Sequence, residues 1–185
     1  MKKGLIVLVV GLVVIGIMGV GAYNTLVQRQ ETVKESWAQV ENVLQRRYDL
    51  IPNLVNTVKG YASHEQRVLE DVTRLRSQWG EAKTVPQKVD AAQQLEGALA
   101  RLMVVVERYP DLKANQNFLA LQDELAGTEN RIAVERRRYN EAVRSYNVAV
   151  RGVPSSAVAS LTGFKESTAY FEAAPEAKTA PKVAF

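Results

Sequence analysis

Residues 33–61 read VKESWAQVENVLQRRYDLIPNLVNTVKGY. Beginning at Val33, one stripe steps by four and three through Trp37, Val40, Leu44, Arg47, Ile51, Leu54, Val58 and Tyr61. That spacing is the seam of a helix packed against other helices. Pro52 lies inside the stripe, yet the register passes through it undisturbed. A mid-helix proline removes one hydrogen bond and bends the rod. The stretch therefore predicts one long kinked helix, not two helices joined by a loop.

Upstream of it, residues 4–23 (GLIVLVVGLVVIGIMGVGAY) carry no charge, and the next charge after Lys3 is Arg29. Twenty residues at about 1.5 Å rise span about 30 Å, the hydrocarbon thickness of a bilayer. The window holds twelve Leu, Ile or Val residues, together about −4 to −7 kcal/mol on an insertion scale. A retained single-pass anchor is the expectation. A cleavable signal is the competing reading, but the run exceeds the usual h-region and Gly19-Val20-Gly21 matches a cleavage site poorly. Lys2 and Lys3 crowd the short N-terminal tail, while Arg29 and Lys34 follow the span. The clustered lysines favour a cytoplasmic N-terminus with the rest of the chain outside an inner membrane. No breaker separates Tyr23 from Val33, so the span should run directly into the first helix.

Downstream, Gly60 stops the first helix and Ser63-x-x-Gln66 reads as a capping box for a second, His64 to Trp79. Pro86 suits the first turn of a third helix, which ends at Tyr109-Pro110. A fourth runs from about Asn115 to Arg151, with Phe118, Leu121, Leu125, Ile132, Tyr139, Ala142, Tyr146 and Ala149 inward. Gly152 and Pro154 end it. The expected fold class is all-α: an N-terminal transmembrane helix followed by an antiparallel four-helix bundle, coiled-coil-like in packing, with a long Pro-kinked first helix. The expected organisation is a tail at 1–3, an anchor at 4–23, a helical-bundle domain at 24–172 and a disordered tail at 173–185. Residues 155–171 are weakly helical, with Phe164, Tyr170 and Phe171 able to dock on the bundle.

The chain has 185 residues, no cysteine, one histidine and a net charge of +4. Without cysteine there are no disulfides, thiolate metal sites or thiol nucleophile. His64 alone offers neither an imidazole metal site nor a relay, and its position reads as an exposed first-turn residue. No Glu-x-x-His pair suggests a carboxylate metal site. Acids and bases are interspersed, unlike a nucleic-acid footprint. Arg136-Arg137-Arg138 should point three ways from a helix and form a solvated face paired with Glu135 and Glu141, not a phosphate patch. Arg47 and Glu135 each occupy an otherwise apolar seam position. Matching Arg151 to Arg29 in an antiparallel pair brings Glu135 level with position 45, so the two charges are expected to meet.

Several stretches together resemble the LemA family of bacterial membrane proteins. They include residues 47–55 (RYDLIPNLV), Val58-Lys59-Gly60-Tyr61, Tyr109-Pro110 with Phe118, Thr128-Glu129-Asn130-Arg131-Ile132, Arg138-Tyr139-Asn140, Tyr146-Asn147, Gly163-Phe164 and Phe171-Glu172. The resemblance implies a single-pass membrane protein with a helical bundle, and brings no reaction with it. The functional expectation is a membrane-anchored scaffold or protein-interaction module with no catalytic residue, cofactor or metal. Its partners would be the lipid bilayer through residues 4–23 and a protein at the membrane, not nucleic acid. An accessory subunit of a membrane protease or envelope-stress system is the alternative, and a membrane-tethered hydrolase a further one.

Overall fold

The computed structural model describes residues 2–171. The proposed tail at 173–185 and the Glu172 end of the last family stretch lie outside the described residues. Among those described there is no strand. The elements are α1 (Lys2–Tyr61), α2 (Gln66–Glu81), α3 (Val85–Val106), α4 (Pro110–Lys113), α5 (Gln116–Arg151) and α6 (Ser155–Thr162). The apolar stretch does run without interruption into the amphipathic one, and α1 stays helical through Pro52. Thr25 and Thr57 each return a hydroxyl bond to the carbonyl four residues back, which keeps these polar side chains compatible with a helix interior.

One helix start differs from expectation. Ser63 does not cap α2: the residue before α2 is Glu65, which makes no side-chain cap. Glu65 N donates to Ala62 O, so residues 62–65 are consumed in a turn. The Glu65 carboxylate is held instead by Arg108 at 2.7 Å and by the Tyr109 hydroxyl at 3.1 Å. The capping box is at α3, where Thr84 and Gln87 satisfy each other's backbone amides and Pro86 sits in the first turn. Asn115, whose Oδ1 accepts from Phe118 N, starts α5.

The chain divides into two compact units, and α1 and α5 each contribute to both. Unit 1 comprises residues 1–39 and 137–168. Here Ala22, Leu26, Tyr139, Ala142, Val143, Tyr146 and Ala159 are buried. Trp37 meets Tyr139 edge-on at 5.5 Å, and Tyr23 meets Phe164 at 5.8 Å. By contrast the apolar side chains from Leu5 to Val20 are exposed along the whole of that stretch.

Among the described residues, unit 2 comprises 40–136 and 169–171. Its core takes Val40, Leu44, Ile51, Leu54 and Val58 from α1, as the seam predicts. Leu69, Val72, Leu75 and Trp79 join from α2, Leu95, Leu99 and Leu102 from α3, and Phe118, Leu125 and Ile132 from α5. Tyr61, expected in the seam, is exposed and accepts a hydrogen bond from Asn115 at 2.9 Å. The α1–α5 pairing in this unit is antiparallel: Tyr61 meets Asn115, and Arg47 meets Glu129.

Candidate functional site

The most concentrated polar chemistry of unit 2 surrounds Tyr48, a neighbour of the seam that is itself buried. Its ring lies 4.1 Å from that of Trp79, tilted by 54°. Lys88 reaches over Trp79, with Nζ 5.3 Å from the ring centre, and pairs with Glu41. Pro52, having no N–H, leaves the carbonyl of Tyr48 without its helical donor four residues on. Arg76 supplies the missing donor from α2: its Nε bonds to Tyr48 O at 3.0 Å. A proline is thus accommodated inside a helix by a guanidinium from the next one.

Burial pushes the Tyr48 phenol well above its ordinary range, against the smaller pull of Arg47 and Arg136. Its hydroxyl, Trp79 Nε1, Arg47 Nε, and Arg136 Nε and Nη2 are buried without a hydrogen-bond partner. None of this amounts to a nucleophile beside a base. The cluster holds an unionised phenol and paired guanidiniums, which suits fixing helices in register.

The expected meeting of Arg47 and Glu135 is replaced by a bond from Arg47 to Glu129. Arg47 does find an acid on α5, but six residues earlier. The register expected from the helix ends put Arg151 opposite Arg29. The Tyr61–Asn115 contact in unit 2 shows a pairing offset from that by about one turn, because α5 starts and stops by its own capping residues.

The arginine run also departs from expectation. Arg136 belongs to unit 2, where its Nη1 bonds Glu96 of α3 at 2.8 Å and its guanidinium lies 4.9 Å from the centre of the Phe171 ring. It is not part of a solvated face. Arg137 and Arg138 belong to unit 1, where they line a groove of about 520 Å³ between α1 and α5. Arg29, Thr32 and Ser36 form the α1 side, and Glu141 and Ser145 lie on the α5 side. Three arginines and one glutamate thus line one groove, because Arg29, distant in sequence, lies across from neighbours on α5. The Thr32 hydroxyl is committed to Gln28 O at 3.0 Å. Glu141 is the one carboxylate among these lining side chains, which include no histidine or cysteine. Guanidiniums lining a groove are able to hydrogen-bond an acidic group.

His64 is exposed in the turn before α2 and lines neither feature. Among the described residues, no three His, Asp or Glu side chains are grouped to hold a metal ion.

The tyrosine and asparagine of the Tyr146-Asn147 stretch have a clear structural task. Tyr146 Oη donates to Lys165 O at 2.9 Å. Asn147 gives Nδ2 to Ser167 O at 2.8 Å and takes Ser167 N at 2.9 Å. These three bonds pin the segment after α6 back onto α5, inside unit 1.

The LemA family model matches residues 36–185, and the chain belongs to the LemA family. It is similar to the magnetosome protein MamQ 2 of Paramagnetospirillum magneticum, 28% identical over 183 residues, with 85% of this chain and 67% of the relative covered. The magnetosome protein MamQ of Magnetospirillum gryphiswaldense is 27% identical over the same coverage. Protein LemA of Metamycoplasma hominis is 28% identical over 131 residues, covering 69% of this chain and 59% of the relative.

Proposed function

We propose that this protein is a membrane-anchored scaffold that recruits a protein partner, without catalysis of its own. The observation carrying this reading is α1, one unbroken helix from Lys2 to Tyr61 that exposes an apolar run from Leu5 to Val20 and then contributes core residues to a folded domain. That first part is long and apolar enough to cross a bilayer. Residues 4–23 then form a single span, with the N-terminus cytoplasmic, in the bacterial inner membrane. Residues 24–172 form one helical-bundle domain, α1, α2, α3 and α5 being its four long antiparallel helices and Pro52 bending the first.

Recruitment is supported by the groove lined by Arg29 and Arg137, whose guanidiniums suit an acidic partner segment. Anchoring confines encounters to the membrane surface and raises effective concentration. Relatives named for the magnetosome, beside one named only for the family, fit a recruiting module used in different settings.

The test is crosslinking from a photoreactive residue at Ser145 in native membranes. One discrete partner is expected, lost on combined Arg29→Glu and Arg137→Glu exchange while the helical content persists. Loss of nothing on charge reversal, or substrate turnover by the purified chain that a single polar substitution abolishes, overturns the reading. His64→Ala should leave the crosslink intact. Protease added to intact cells should digest the domain; digestion only after permeabilisation reverses the orientation.

A further inference from the structure

Among the described residues outside 4–23, the two most exposed large apolar side chains both flank or lie in α6. Val153 is 92% exposed and Leu161 88%. They belong to a thirteen-residue stretch, Gly152 to Phe164, that contains no charge in a chain that is 24% charged. Charges resume at its borders, with Arg151 before it and Lys165 and Glu166 after. Its exposed positions combine these apolar side chains with the uncharged hydroxyls of Ser160 and Thr162.

The contacts within unit 1 say where the stretch lies. Trp37 faces Tyr139 across α1 and α5. From that level α1 runs fourteen residues back to Tyr23, and α5 runs twelve residues on to its end at Arg151. At about 1.5 Å per residue these are about 21 Å and 18 Å, so α5 stops within one turn of the level of Tyr23. The ring of Phe164, just past α6, then meets that of Tyr23. Tyr23 is the last residue of the exposed apolar stretch. The uncharged stretch is therefore held at the end of unit 1 from which the apolar part of α1 projects. The Tyr146 and Asn147 bonds to Lys165 and Ser167 keep it there.

We propose that α6 and the turn before it are a second membrane contact, lying in the bilayer interface with Val153 and Leu161 among the lipid headgroups and upper acyl chains. This rests on residues 4–23 being a span. The occupant follows from continuity: a surface at the mouth of a span faces lipid. Aromatic rings at the boundary, Tyr23 and Phe164, suit that depth; Lys165 borders the stretch as an interface-anchoring cation does, and Arg151 pairs with Glu166 at 3.6 Å. α6 buries Ala159 against unit 1 and turns Leu161 away from it. Its C-terminal Gly163 takes a left-handed conformation, φ 81°, which lets the chain reverse sharply and leave the interface.

The chain has no cysteine, so every introduced one is labelled alone. Full-length Leu161→Cys, Val153→Cys, Val14→Cys and Val104→Cys variants, each nitroxide-labelled, are reconstituted into phosphatidylethanolamine–phosphatidylglycerol vesicles. Collision with oxygen, which concentrates in lipid, is compared with collision with a water-soluble nickel chelate. At Leu161→Cys and Val153→Cys the oxygen-to-chelate ratio should be several-fold above that at Val104→Cys, an exposed position in unit 2, and below that at Val14→Cys. A ratio equal to that of Val104→Cys, with Val14→Cys still lipid-like, overturns the proposal and leaves the span intact. Shielding of Leu161→Cys from both reagents overturns it in favour of a covering protein. A water-like Val14→Cys removes the span and this proposal together.

Discussion

At Tyr48 the chain buries a phenol whose oxygen has no hydrogen-bond partner. Burial raises its pKa above the ordinary 10.0, so the folded state keeps the proton after the unfolded state has released it. Below pH 10 both states hold the proton and stability does not depend on it. Above pH 10 the unfolded state binds fewer protons, and stability falls with rising pH. Tyr48→Phe should therefore soften the alkaline loss of stability relative to the parent chain, measured by urea unfolding in mild detergent from pH 8 to 11. At neutral pH the same substitution should gain about 1 kcal/mol, since it deletes an unsatisfied buried hydroxyl. An unchanged alkaline profile would show that the phenol titrates normally. The Arg47–Glu129 pair behaves differently. The Arg47 side chain is 11% exposed and that of Glu129 40%, so solvent screens one partner and not the other. Glu129→Gln should cost about 1–2 kcal/mol, less than a fully buried pair because of that screening. Glu31→Gln, which breaks the exposed pair with Lys34, should cost less than about 0.5 kcal/mol. Equal costs would mean that Arg47 finds water as readily as Lys34 does.

Among the elements, α1 shows how a helix tolerates proline. The stripe through Pro52 was enough to read one helix, because apolar spacing survives a missing hydrogen bond. The guanidinium that completes Tyr48 O was not legible, since Arg76 lies 28 residues further on in another helix. Arg76→Met should destabilise by about 1 kcal/mol, the worth of one hydrogen bond to a group that burial would otherwise orphan. In a Pro52→Ala background, where an amide again serves that carbonyl, the same change should cost measurably less. A double-mutant cycle with no coupling between the two sites would mean that the carbonyl is served another way. The helix starts teach a related lesson. Ser63-x-x-Gln66 and Thr84-x-x-Gln87 are equivalent as patterns, and only the second caps a helix. Arg108 and Tyr109 hold Glu65 beside the first, a contact from the turn after α3 that local spacing does not encode.

For the whole molecule, the insertion arithmetic sets a threshold. Twelve Leu, Ile and Val residues supply about −4 to −7 kcal/mol, and an arginine at the centre of a span costs about 2.5–3.5 kcal/mol. Val14→Arg alone should leave the chain in the membrane fraction. Val10→Arg with Val14→Arg should cancel most of the insertion energy and release it, with its helical circular dichroism retained. Carbonate extraction followed by sedimentation reads both. Retention of the double variant would show that contacts beyond residues 4–23 hold the chain to the bilayer.

The sequence alone determined the all-helical class, the apolar stretch, the passage of α1 through Pro52 and the main core positions. Each of these depends on periodicity or composition within a single segment, and such signals need no knowledge of neighbours. Tertiary structure decided which acid Arg47 meets, that Arg136 turns to Glu96 and Phe171, that Arg29 joins Arg137 and Arg138 around one groove, and that Phe164 reaches Tyr23. Each of those depends on the offset between helices. A shift of one turn leaves every apolar stripe facing inward, because the stripe repeats about once per turn. The same shift exchanges every polar partner. Hydrophobic patterning therefore specifies which faces pack, and only the packed structure specifies which charges meet.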